Sequence, residues 1–364
     1  METKKSTQKA GNDSVLNQVE NQTINIGADE KRVREVVSEQ MSIVIDQASA
    51  VAKQVAQERT DKFMLSLIPT ITQVPNYSQA MAEPSVLRQL LKSGEIASLT
   101  DREIDYKILS QLVARRIEKN GDINSTTAVS KAIEIVDQIS NEGYKFLTIE
   151  FVLFNYFPVS FDFYQRLRTY SELFERLSLN ADLPNQNTTE WIENLEITNS
   201  VRYSSAASYY DFWKILLNFM PAVVLAGIKK ENDEYRDAIE KLSSQGMNDS
   251  FLVTNPLDTD YVIIPVLRRE GIKEIKVGND ARSLFGEQVK VLEEIFDSYS
   301  NYKIPEEFIK YEIQNYEGLK DISEWWDTFK NRIGQSVYSL TSVGKVLGYM
   351  NARQLDQSLP EIDL

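Results

Sequence analysis

The apolar positions of this chain fall into helical spacings along most of its length. Val33, Val37, Met41, Val44, Ala48, Val51 and Val55 follow one another at intervals of four, four, three, four, three and four. From Val37 onward this is the alternating rhythm of an a/d seam, the pattern that packs one helix along another. Asp29 is the expected N-cap, and Glu30 and Glu35 lie where negative charge suits the helix dipole. The helix is expected to run through Phe63 and Leu67 to Ile68, where Pro69 stops it. Before it, residues 1–28 are rich in Asn and Gln, and the alternation Ile24-Asn25-Ile26 precedes Gly27. That segment reads as a polar strand whose amide side chains can ladder with copies of themselves, or as a tail.

Further helices are marked by their ends. Pro84 opens one through Val86, Leu87, Leu90 and Leu91 that is expected to close near Gly94. Thr100 and Glu103 have capping-box spacing ahead of Ile104, Ile108, Leu109, Leu112 and Ile117. After Asn120-Gly121, Ser125 or Thr126 is the expected cap of a helix that stops before Gly143. From 146 to 230 the chain is aromatic-rich, with Phe151, Phe163, Tyr170, Phe174, Trp191, Tyr209 and Phe212 among the rings. Helical spacing assigns such rings to a core before it assigns them to a ligand. Loops are expected at 183–190 and 243–250, around a helix through Asp233 and Leu242.

The texture then changes. Tyr261–Leu267 is the strongest strand-like run, and Pro265 makes it an edge strand or ends it. Ile272–Val277 alternates like a second strand. Helices resume at 281–299 and after Pro305, and the chain closes with a short strand, a Thr341 or Ser342 cap and a terminal helix. The predicted fold is mainly α: a helical body with an N-terminal polar β segment and a small α+β C-terminal part. Its expected divisions are 1–28, 29–145, 146–250 and 251–364.

Composition narrows the chemistry. Among 364 residues there is no His and no Cys, which excludes disulfides, thiolate nucleophiles, imidazole bases and Cys/His zinc sites. A formal charge of -14 disfavours non-specific attraction to nucleic acid or anionic membrane. The N-terminus lacks the apolar stretch of a secretory signal, so a cytoplasmic location is expected. Ile215–Ile228 is apolar, with Tyr209, Tyr210 and Trp213 before it and Lys229 and Lys230 after it. Asn218 and Pro221 interrupt it, and it falls short of the roughly 20 residues of a membrane span, so a buried helix pair or a kinked core helix is expected.

One catalytic arrangement passes the composition filter. Asp258 and Asp260 precede the first candidate strand, and Glu274-Ile275-Lys276 lies in the second. Asp260, Glu274 and Lys276 are thus similar to the core of Mg²⁺-dependent restriction-type nucleases, where two carboxylates hold the metal and lysine activates water. The spacing is common in a chain with 26% charged residues. Outside that alternative no cofactor or metal is expected. Phosphate-loop, dinucleotide and nucleophile-elbow motifs are absent. Arg115-Arg116 and Arg268-Arg269 can grip a phosphate or carboxylate, although solvated faces explain them as well. Of the pair Trp325-Trp326, one ring is expected in the core and the other in a groove. The turn Leu340-Thr341-x-x-Gly344 resembles the end of a winged-helix module, but no basic surface accompanies it.

The Asn/Gln-rich start with Ile24-x-Ile26-Gly27, the run Asp29–Glu35, the helix Thr100–Leu112, Lys131–Asp137 and the closing Leu340–Lys345 with Asn351 and Arg353 go together. In these the chain resembles an uncharacterised bacterial family of about this length, with Val15–Val19 alternating less strictly than the rest. The resemblance carries no catalytic residues. It implies accessory cargo of mobile elements and a role in phage defence. The expectation is a self-assembling interaction or scaffold protein rather than an enzyme. Its oligomer interface is Ile24, Ile26, Val33, Val37, Met41, Val44, Ala48, Val51 and Val55, and its aromatic domain binds a protein partner. The alternatives are the Mg²⁺ nuclease and an effector that inserts residues 212–230 into a membrane.

Overall fold

The computed structural model describes residues 26–363 except 76, 81–82, 120–121, 186, 206–207, 218–220, 278–281 and 335; side chains are described from residue 49, except 78, 124, 221, 277 and 282. Ile24 lies outside the described residues, as do the side chains of the seam before Val51. The chain divides into residues 1–58 and 59–364.

Fourteen α-helices are found among the described residues. They are α1 (Ile26–Ile71), α2 (Tyr77–Ala80), α3 (Pro84–Leu99), α4 (Glu103–Glu118), α5 (Ile123–Ile135), α6 (Asn141–Asn155) and α7 (Phe163–Arg176), then α8 (Glu190–Ile197), α9 (Phe212–Leu216), α10 (Asp233–Ser244), α11 (Gly286–Tyr299), α12 (Glu306–Asn315), α13 (Lys320–Ile333) and α14 (Ser342–Leu355). The strands are short: β1 (Val201–Ser204), β2 (Ile228–Lys229), β3 (Val253–Asn255), β4 (Asp258–Ile263), β5 (Lys276–Val277), β6 (Arg282–Ser283) and β7 (Val337–Leu340). The mainly α expectation holds, with the small strand pairs confined to the C-terminal half.

Several element ends differ from expectation for identifiable reasons. Ile26 begins α1, so it belongs to a helix and not to a polar strand. At the other end α1 continues past Pro69 to Ile71, with the Thr70 and Thr72 hydroxyls donating to the carbonyls of Ser66 and Ile68. A proline in the last turn costs one ladder bond, and these hydroxyls occupy carbonyls there. Gly94 does not end α3, which runs on to Leu99. Thr100 makes no capping box. Its hydroxyl donates to the Asp105 carboxylate at 2.6 Å, and Arg102 is the uncapped N-cap. Gly143 stops nothing. It sits in the first turn of α6, where Ser140 caps its amide, and a Cβ there would meet Ile139 and Leu195 at 3.2 Å. In contrast, Thr341 caps α14 as expected, accepting from the Gly344 amide at 3.1 Å.

Burial follows two cores within residues 59–364. The large one runs from Phe63 on α1 to Leu359 and unites α4, α5, α6, α7, α13 and α14. Its centre is the α6–α14 pair, brought close by missing side chains. A Cβ on Gly344 would lie 1.9 Å from the Ser200 carbonyl oxygen, and one on Gly348 would lie 2.5 Å from that of Leu147. The expected aromatic core is present: Phe151, Phe163, Tyr170, Phe174, Trp191, Tyr209 and Phe212 are all buried. Trp325 and Trp326 are both buried, so neither faces a groove. Their indole N–H groups donate to the carbonyls of Pro184 and Tyr210 at 2.8 and 3.0 Å. β7 pairs antiparallel with β1, far upstream, and α14 is a buried core helix; the winged-helix likeness ends at the local turn.

The smaller core lies between Ala222 and Tyr299 and forms an inserted lobe. Its sheet has the order β2-β4-β3, antiparallel throughout, with α10 packed on β2 and α11 packed on α10. β4 is therefore central, and Pro265 lies beyond its end, where a missing amide costs no ladder bond. The two chain segments that lead into and out of the lobe pair with each other. Leu225 bridges Lys303, the Ala226 amide donates to the Tyr302 carbonyl at 2.8 Å, and the Ile304 amide donates to that of Val224 at 2.9 Å. The apolar core of the lobe thus draws on residues from Ala222 to Tyr299.

Candidate functional site

The residues proposed for metal chemistry occupy three different elements. Asp260 is in β4, Glu274 ends a 3₁₀ turn (Arg269–Glu274), and Lys276 opens β5, which pairs with β6 and not with β4. Of the expected strand over Ile272–Val277, the first three residues belong to that 3₁₀ turn, with Ile272 fully buried, and the last two form β5. All three side chains are exposed. Among the described residues no three carboxylates gather in a group that could hold a metal ion. Three of the four paired arginines are occupied internally. Arg115 donates to the Ile362 carbonyl at 3.1 Å and Arg116 to the Ser85 hydroxyl at 3.1 Å. Arg269 grips Asp297 through two bonds of 2.7 and 2.8 Å.

The apolar stretch at 212–230 is not one kinked helix. It is divided into α9, a 3₁₀ turn (Pro221–Val224) and β2. Among the described residues no helix is long and apolar enough to cross a membrane. Asp211 starts α9 and is held by Lys330, whose ammonium keeps its carboxyl below the usual range.

Two surfaces remain as candidates. The first is the seam of α1. Val51 and Val55 are 62% and 37% exposed, on a helix whose neighbouring surface is polar, with Gln54 donating to Glu58 at 2.9 Å.

The second is a half-open groove of about 530 Å³ at the root of the inserted lobe. Its floor is Gly227, Ile228 and Tyr299. Gly227 has φ +90°, and a Cβ there would sit 2.2 Å from the Val262 carbonyl oxygen, so the approach requires glycine. Beneath the floor, buried Asn255 donates to the carbonyls of Leu225 and Ala226 at 2.9 and 2.8 Å and accepts from the Leu257 amide. The Tyr299 hydroxyl accepts from the Ile264 amide at 3.0 Å, and burial pushes that phenol's pKa up. Reading of the sequence missed both residues. The Asn255-Pro256 turn signal was visible, but the carbonyls it serves lie about thirty positions earlier.

Two carboxyls of the helical body are buried. Glu150 on α6 is 5% exposed, its Oε2 has no hydrogen-bond partner, and burial raises its pKa well above the ordinary value. It lies near Tyr209, whose phenol it helps to raise; desolvation is the larger cause there. Asp105 is fully buried, and desolvation raises it to about 6 against the opposing pull of Thr100 and Arg102.

These features define a mainly helical protein with an inserted α/β lobe. A family model whose description states no activity matches residues 5–364, and the chain belongs to that uncharacterised family. No curated protein and no solved structure matches the chain.

Proposed function

We propose that this protein acts by assembling copies of itself through the seam of α1, as a scaffold or interaction component rather than as an enzyme. The observation that carries this reading is the exposure of Val51 and Val55. Both continue a seam that begins upstream in the sequence. Helices gain little from seam positions left in water, whereas association of two seams buries every one of them at about 25 cal/mol per Å². Small side chains such as Val and Ala allow close approach of the paired helices. A cytoplasmic place and a part in phage defence fit the family resemblance and belong to this proposal.

The test is the mass of the full-length particle by light scattering, beside the double substitution Val51→Asp with Val55→Asp. A defined oligomer that the substitutions reduce to a folded monomer supports the reading. A native protein that is already monomeric at the highest usable concentration overturns it.

A further inference from the structure

We propose that the groove at the root of the inserted lobe is a binding site for an adenine mononucleotide. Among the described residues most cationic side chains in two grooves on the helical body are already paired, although the buried Gln89 and Gln111 side-chain oxygens there have no partner. In the groove between α3 and α5, Lys92 pairs with Glu95 and Lys131 with Glu134 at 3.0 and 2.9 Å. In the groove between α4 and α14, Arg115 and Arg353 are spent on Glu118 and on carbonyls of the C-terminal segment.

The root groove differs. Asn232, Tyr261, Asn301, Tyr302 and Lys303 converge on it, and none of their side chains makes a hydrogen bond or ion pair among the described residues. Asn232 precedes α10, but its side chain does not cap it. Tyr302 is 64% exposed although its backbone is fixed by pairing with Ala226. Its ring is thus presented on a rigid strand-like segment rather than on a loose loop.

The chemistry of this set selects the ligand. A tyrosine ring face offers stacking to a planar base. A carboxamide can bond both the amino group and the adjacent ring nitrogen of adenine. Among the described residues Lys303 has no ion-pair partner and Lys229 has only Glu231, at 3.8 Å; with Glu234 also lining the groove, the balance of charge suits one anionic group at most. A long polynucleotide is disfavoured by a net charge of -14, which leaves a mononucleotide. The volume falls within the range of about 300–1,000 Å³ typical of small-molecule sites. The floor is preorganised, because Asn255 holds the entering segment through Leu225 and Ala226, and Tyr299 is bonded to the end of β4 through Ile264. A ligand here would touch the segments entering and leaving the lobe together and would hold their pairing closed.

The experiment is calorimetric titration of the full-length protein with AMP, adenosine, CMP and glucose, repeated on Tyr302→Ala and Lys303→Ala. Both substituted positions are exposed, so the fold is retained. AMP is expected to bind with a Kd below about 1 mM and more tightly than CMP. Tyr302→Ala should weaken AMP about tenfold, the contribution of one stacked base. Lys303→Ala should weaken AMP but leave adenosine unchanged. Hydrogen exchange at Val224–Ala226 should slow when AMP is bound. The proposal is overturned if AMP does not bind, if glucose binds in its place, or if Tyr302→Ala leaves AMP affinity intact. Particle mass is unaffected by any of these outcomes, so failure here is distinct from failure of α1-mediated assembly.

Discussion

The helical body and the inserted lobe differ in how their most buried polar side chains are held, although Glu293 Oε1 in the lobe is itself buried without a hydrogen-bond partner. In the lobe, Asn255 and Tyr299 are buried with hydrogen bonds made, Asn255 tying β3 to the entering segment and Tyr299 tying α11 to the end of β4. In the body, Glu150, Tyr170, Ser323 and Asn351 are buried with a polar atom unpartnered. The difference follows from how each part is held. The body closes a large apolar core by pressing helices together, and that packing tolerates a few unsatisfied atoms at about 1–3 kcal/mol each. The lobe has a small core, so its root depends on polar bonds with good geometry.

The comparison breaks most severely at Gly348. Gly348→Ala places a Cβ 2.5 Å from the Leu147 carbonyl, and backbone on both sides prevents a cheap shift. We expect a loss of at least about 3 kcal/mol, read as a lower urea midpoint of the whole chain, because α6 and α14 organise the body.

The matching change in the lobe is Gly227→Ala. It combines a left-handed φ of +90° with a 2.2 Å approach to Val262. A cost of about 2–3 kcal/mol is expected, but confined to the lobe. Limited proteolysis should cut within 222–299 while fragments of the body persist. Equal loosening of body and lobe would contradict the division into two cores.

How much of this was legible from the sequence depends on the range of the contact that decides each feature. Helices with local caps were readable: Thr341 serves Gly344, and Pro305 precedes α12. Thr100 had the same local appearance as Thr341, yet its hydroxyl goes to Asp105, because Asp105 is buried and needs a donor more than the helix end does. Gly94 and Gly143 read as stops but lie within helices, and only the packing around Gly143 explains its presence. The lobe was the least legible part. Its strands have two to six residues, and the pairing that defines its root joins Leu225 to Lys303, nearly eighty positions apart. Of the candidate surfaces, the α1 seam was visible as spacing. The groove was not, since its lining comes from four separated segments.

The sharpest test of the body's unpaired polar atoms is Glu150→Gln. The carboxyl has an ordinary value of 4.5, and burial raises it well above that in the folded chain. Folding therefore favours the protonated form, and the stability this group lends is complete below about pH 4.5 and declines as pH rises toward the folded value. Asp105 acts in the same direction, but its decline ends just above its folded value of about 6. The carboxamide introduced by the substitution keeps nearly the shape of the neutral acid and cannot ionise. Glu150→Gln should thus be close to neutral at pH 4.5 and stabilising at pH 8, read as a higher urea midpoint. Between pH 6.5 and 8 Asp105 no longer contributes to the slope, so any remaining difference in urea midpoint between the two proteins belongs to Glu150. A variant less stable than the native chain at pH 8 would mean that the carboxylate is stabilised as an anion in the fold. The contrast with Asn255 and Tyr299 of the lobe would then fail at one of the body's two buried acids.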